Sequence, residues 1–65
     1  MITNTQWQQV VILLREEHRL KLGTDYTVLT KYGKTYVTCF EVYKPAIEDV
    51  TASLGASVDH WFFIP

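Results

Sequence analysis

The chain has a single cysteine, Cys39, in 65 residues. No intrachain disulfide can form, and one thiolate cannot anchor a cysteine-rich zinc site. Two prolines and three glycines leave no Pro/Gly-rich linker. The sequence contains no repeat and no low-complexity stretch, so residues 1–65 read as one domain. Neither sign of charge dominates, because six Lys and Arg against seven Asp and Glu give a formal net charge of −1. That balance argues against the basic face that nonspecific nucleic-acid binding requires, and equally against the carboxylate excess of a nucleic-acid mimic. No apolar run approaches the roughly 20 residues that span a bilayer. Met1-Ile2-Thr3-Asn4 lacks the basic and apolar blocks of a signal peptide. A lone reduced thiol without an export signal leads us to expect a cytoplasmic protein with no membrane partner. The Met1 start and the absence of a tag lead us to expect a whole gene product.

What the chain does have is apolar surface. It finishes on Trp61-Phe62-Phe63-Ile64-Pro65, with no polar tail. Such residues need burial in the chain's own sheet or in a partner. A domain of this size buries only about 60% of its unfolded surface, and no disulfide or metal supplements the core. Efficient packing or oligomerisation must supply the difference, so a homodimer is expected.

The clearest element is a helix over about 4–22. Thr3 and Gln6 have capping-box spacing, and Ile2 and Trp7 have the spacing of a hydrophobic staple. Trp7, Val10, Val11, Leu14 and His18 share one face. Leu13 and Leu20 form a second stripe, and Ile12 lies on the far side. A second helix covering that stripe is the simpler expectation; a partner surface is the sharper one. Glu17 with Lys21 and Glu16 with Arg19 are favourable helix pairs, and Gly23 is the expected stop.

Residues 26–43 read as a β-hairpin of Tyr26–Thr30 and Thr35–Tyr43, rich in β-branched and aromatic residues. Gly33 supplies a positive φ, as the first central residue of a type II′ turn or as the bulge glycine after a type I turn. The type II′ reading places Tyr26, Val28, Val37 and Cys39 on one face, and Leu29, Tyr36, Phe40 and Val42 on the other. Pro45 suits the first turn of a second helix. Ile47, Val50, Thr51 and Leu54 form its buried stripe, and Gly55 ends it. Ser57–Ile64 reads as a last strand.

The order is therefore α-β-β-α-β, an α+β domain with a three-stranded antiparallel sheet and two helices on one face. A helical crossover makes the second and third strands parallel. The simplest sheet has order 3-1-2, with the third strand beside the first. This arrangement resembles a ferredoxin-like fold lacking its first strand, a topological likeness that carries no function. Helices in so short a chain cover only one sheet face, so the other is expected to show apolar residues to solvent.

Residues able to carry chemistry are few. Gly33-Lys34-Thr35 looks like the end of a P-loop, but Val28 stands where the first glycine belongs and a strand follows where a helix should. His18, Cys39, Asp59 and His60 are the residues a catalytic reading would recruit. Cys39 lies mid-strand as a small hydrophobe. His18 sits at a helix C-terminus, where a cation is favourable. Asp59 and His60 are adjacent in a strand and face opposite ways. Glu16-Glu17 and Glu48-Asp49 splay apart as solvated surface. We expect no catalytic, cofactor or metal site.

Tyr26, Tyr32, Tyr36, Phe40 and Trp61, with Lys31 and Lys34 nearby, could stack single-stranded nucleic acid. The same residue types anchor protein interfaces. The charge balance ranks protein binding first, with Leu13, Leu20, Tyr36, Phe40, Trp61 and Phe63 as interface candidates. The expected function is a small noncatalytic protein-binding module. It has the character of an inhibitor or regulator of a host factor, as viruses and mobile elements encode.

Overall fold

The computed structural model describes residues 2–65. Helix α1 spans Asn4–His18, strands β1 and β2 span Tyr26–Lys31 and Lys34–Cys39, helix α2 spans Lys44–Ser53, and strand β3 spans His60–Phe63. A short 3-10 turn, Glu41–Tyr43, leads into α2. The α+β class and the α-β-β-α-β order are as expected.

The start of α1 follows its sequence closely. The Thr3 hydroxyl accepts the Gln6 N–H at 3.1 Å, and the Gln6 side-chain oxygen accepts the Thr3 N–H at 2.9 Å. This reciprocal box satisfies two of the donors that a helix start leaves unpaired. The staple residues Ile2 and Trp7 are both buried. The helix ends earlier than expected, at His18 rather than near Leu22. Arg19 takes the left-handed conformation at φ 58°, and the Leu20 N–H returns to the Leu14 carbonyl at 3.0 Å. This is Schellman closure. Its cause is tertiary: the fold-back carries Leu20 into the core, which a continued helix would not do. Gly23, at φ 89°, serves the turn that follows.

The hairpin loop is also different. Lys31 pairs with Lys34, leaving Tyr32 and Gly33 as a two-residue loop, both at positive φ (53° and 72°). Two positive φ values make a type I′ turn, not the expected type II′. A type II′ loop of Gly33 and Lys34 would shift the register by two residues. A two-residue shift preserves every side chain's face. Tyr26 opposite Cys39 and Val28 opposite Val37 therefore share one face, and Leu29 opposite Tyr36 lies on the other, as the sequence implied. The second strand is shorter than expected, because the backbone turns at Glu41 to enter α2.

The sheet is mixed, with order β1-β2-β3. β1 and β2 are antiparallel, while β2 and β3 are parallel and adjacent: Tyr36 pairs with His60, Val37 with Trp61, Thr38 with Phe62 and Cys39 with Phe63. The expected order 3-1-2 is corrected here. The third strand does run parallel to the second, but no strand lies between them, which also departs from the split pattern of the ferredoxin-like likeness. Two contacts fix β3 in this place. Asp59 accepts the Thr35 N–H on a carboxylate oxygen at 2.7 Å, and its own N–H donates to the Thr35 carbonyl at 3.0 Å. The buried Thr35 hydroxyl also accepts the Ile2 N–H at 3.2 Å, so one residue ties the start of the chain to the start of β3.

Both helices cover the same face. Trp7, Val10 and Leu14 of α1 and Ile47 and Val50 of α2 close over Tyr26, Val37 and Cys39. Leu13, half-buried, packs on this core beside Leu54, so the second helix takes up part of the outer stripe. Gln6 links the helices by donating its side-chain amide to the Leu54 carbonyl at 3.4 Å. Thr51 lies in the core because its hydroxyl donates to the Ile47 carbonyl at 2.9 Å, which satisfies a polar group within its own helix.

Candidate interaction face

The face of the sheet away from the helices is bare. Alternation along the strands places Thr27, Leu29 and Lys31 of β1 here, with Lys34, Tyr36 and Thr38 of β2 and His60 and Phe62 of β3. Phe40 and Ile64 continue the alternation just beyond the strand ends. Nine large apolar side chains remain exposed among the described residues, and five of them, Leu29, Tyr32, Phe40, Phe62 and Ile64, lie on this side. Leu29 is 58% exposed, Phe62 56% and Tyr32 86%.

The aromatic rings are ordered with respect to one another. Tyr36 stacks on His60 with centroids 5.0 Å apart and planes 12° from parallel, and on Phe62 at 6.1 Å and 20°. This three-ring row follows from the parallel register, which brings His60 opposite Tyr36 and sets Phe62 two residues further along β3. Beside it, Leu29, Lys31, Tyr32, Tyr36 and Phe62 line a shallow depression of about 270 Å³.

The strands' share of this face carries basic groups and no carboxylate. Lys31 and Lys34 stand directly opposite each other, a like-charge pairing that works against the hairpin. The Lys31 ammonium lies 5.1 Å from the centre of the Tyr32 ring, a cation–π contact that offsets part of that repulsion. None of the chain's seven acidic residues lies within a strand.

The six interface candidates divide between the two sides. Tyr36 and Phe40 are on the bare face. Leu20 is buried in the core, and Leu13 is packed against it, so the outer helix stripe is not a continuous free surface. Trp61 and Phe63 pair with Val37 and Cys39 on the helix side. They stack on each other at 6.2 Å, with the Lys44 ammonium 5.7 Å from the Trp61 ring and 5.9 Å from the Phe63 ring. Trp61 is half-buried against the core and Phe63 is partly exposed beside it. The interface candidates did not include Leu29 or His60, and took Trp61 ahead of its neighbour Phe62, which the sequence offered only if Trp61 were core. Their alternation was readable, but which parity faced the helices was not.

The residues recruited for a catalytic reading are not brought together. The Cys39 side chain is wholly buried, and desolvation pushes its thiol up from the ordinary value. His60 stacks on the opposite face of the sheet. His18 is exposed in the last turn of α1. The Asp59 carboxyl is held below the usual range, first by the Thr35 N–H and further by the neighbouring charges of His60 and Lys34. It serves as a backbone clamp. Among the described residues no three His, Cys, Asp or Glu side chains are grouped to hold a metal, and no helix is long and apolar enough to cross a membrane. Comparison of the chain with protein-family models, curated proteins and solved structures finds no match.

Proposed function

We propose that this chain is a small noncatalytic protein-binding module, an inhibitor or regulator acting in the cytoplasm, whose bare sheet face is the contact surface. The observation that carries the reading is the His60–Tyr36–Phe62 row beside exposed Leu29 and Tyr32. Aromatic anchors held rigid by stacking present large area with little entropy left to lose, which is the character of an interface hot spot. Lys31 and Lys34 at one end, with no carboxylate on the strands' share of the face, suit a partner whose apolar patch is rimmed by Asp or Glu. Affinity capture from the source cell with wild type and with Phe62→Ser tests this. A partner held by wild type, insensitive to nuclease and lost by a Phe62→Ser protein of unchanged melting temperature, is the expected result. Equal capture by both proteins rejects the face.

The same rings and lysines support a second reading, single-stranded nucleic acid stacked along the row. Salt separates the two. Phosphate contacts make affinity fall linearly in log–log with added salt, whereas an apolar protein contact changes little.

A further inference from the structure

We infer that the free edge of β1 pairs with β1 of a second copy, antiparallel about a two-fold axis at Leu29, to give a continuous six-stranded sheet. The two sheet edges differ. β3 is four residues long, is followed at once by Ile64-Pro65, and has the Lys44 ammonium lying over its Trp61 and Phe63 rings. Short length, proline and lysine are the features that blunt an edge. β1 is six residues long and contains no proline.

Its backbone groups can be assigned. A two-residue loop closed by Lys31 and Lys34 directs the N–H and C=O groups of Lys31, Leu29 and Thr27 toward β2, and those of Thr30, Val28 and Tyr26 outward. Tyr26 is already engaged, since its carbonyl accepts the Gly23 N–H at 2.7 Å and Leu22 bridges to it. The free stretch therefore runs from Thr27 to Lys31, with Val28 and Thr30 as its outward residues.

A second copy fits this stretch in both length and charge. A two-fold axis at Leu29 sets Val28 against Thr30 of the other copy, twice, and Thr27 against Lys31. The incoming strand ends in its own Tyr32-Gly33 turn just where Gly23 blocks the edge. Four new backbone hydrogen bonds form, and the two exposed Leu29 side chains meet across the axis. Each Lys31 faces a threonine of the other copy, so no like charges oppose. A shift of the axis by one pairing step in the Tyr26 direction would put the incoming strand against the occupied Tyr26 carbonyl. On the helix side, an open apolar groove of about 630 Å³ runs beside this edge, lined by Trp7, Val11, Ile12, Leu22 and Val28 among others. Ile12 and Leu22, each 47% exposed, rim it. The two-fold brings the two grooves face to face, where these side chains cover one another.

This contact takes up only Leu29 of the proposed binding face; it leaves the His60–Tyr36–Phe62 row open and joins it to its copy. The test is light scattering on the full chain at about 100 μM, a range where micromolar affinity gives mostly dimer, together with amide hydrogen exchange. A mass twice the 7.6 kDa of one chain, with Val28 and Thr30 amides protected as concentration rises, is expected. Thr30→Pro removes an outward donor that β2 does not use, and Leu29→Lys places two charges on the axis. Each should weaken dimerisation at least about tenfold, and Phe62→Ser should not. Should Thr30→Pro lose its fold, Leu29→Lys carries the comparison. A monomeric wild type, or a dimer in which Val28 and Thr30 exchange freely and which Phe62→Ser dissociates, would overturn the assignment.

Discussion

The two faces of this sheet both carry aromatic and aliphatic side chains, yet only one is covered. The helix side presents Tyr26, Val28, Val37, Cys39, Trp61 and Phe63; the bare side presents Leu29, Tyr36, Phe40 and Phe62 among threonines and lysines. Six of the eight strand positions on the helix side are apolar, against three of eight on the bare side. The rest of the difference lies in what else each face carries. Every basic strand side chain, Lys31, Lys34 and His60, falls on the bare side, and so does the stacked ring row. Two helices have area enough for one side only, and charge placement decides which side is left. An apolar face so left is a surface available for binding.

The largest expected effect on this comparison comes from two neighbouring substitutions in β3. Trp61→Ser removes a half-buried ring from the core and should cost about 2–3 kcal/mol, scaled down from the 3–5 typical of a fully buried aromatic. In so small a domain that is a large fraction of the total stability. Phe62→Ser, one residue on but across the sheet, should change stability by no more than about 0.5 kcal/mol. Urea unfolding of the two proteins measures both. Equal destabilisation would erase the distinction between the faces.

A smaller effect comes from pH, which acts on the core side at its two ends. The Asp59 carboxyl is depressed by the Thr35 N–H first of all. The stability it contributes is present above its unfolded value near 3.8 and is lost as pH falls through the lower folded value. Asp59→Asn should lower the melting temperature at pH 7 and reduce its further fall toward pH 3. At the alkaline end, burial first and the Asp25 charge second push Tyr26 from 10.0 to about 12. Its hydroxyl is buried and finds no hydrogen-bond partner among the described residues. Stability from this group is full below pH 10 and is lost as pH rises toward 12. Tyr26→Phe should be neutral or slightly stabilising at pH 7, since it deletes an unpaired buried group, and should resist alkaline unfolding better. Melts at pH 3, 7 and 11 check both substitutions, and an unaltered pH profile in either would refute its part.

What the sequence made legible was local. The Thr3–Gln6 box, the Ile2–Trp7 staple, the Trp7–Val10–Leu14 face, the Ile47–Val50–Thr51 stripe and the facial sorting of the hairpin all depend on residues close along the chain. What was hidden depended on distant partners. The left-handed turn at Arg19 exists because Leu20 is drawn into the core, and neither residue announces it. The strand order could not be chosen, because β3 beside β1 and β3 beside β2 satisfy the same alternation and the same crossover rule. With the order undetermined, Trp61 and Phe62 were interchangeable, and the candidate face was one residue out of phase along β3.

The parallel seam between β2 and β3 also sets an order of assembly. Lys31 and Lys34 meet across a two-residue loop, a closure of the microsecond class. Thr35 and Asp59 meet across 24 positions, with α2 between them, and pay a larger loop entropy first. β3 therefore joins after the hairpin, and until it does Cys39 sits on an open strand edge. During refolding the thiol is a clock for that step. A slow-reacting maleimide should label Cys39 freely early on and lose access in step with quenching of the β3 tryptophan, Trp61. Protection that develops with the hairpin instead would show the seam to form early.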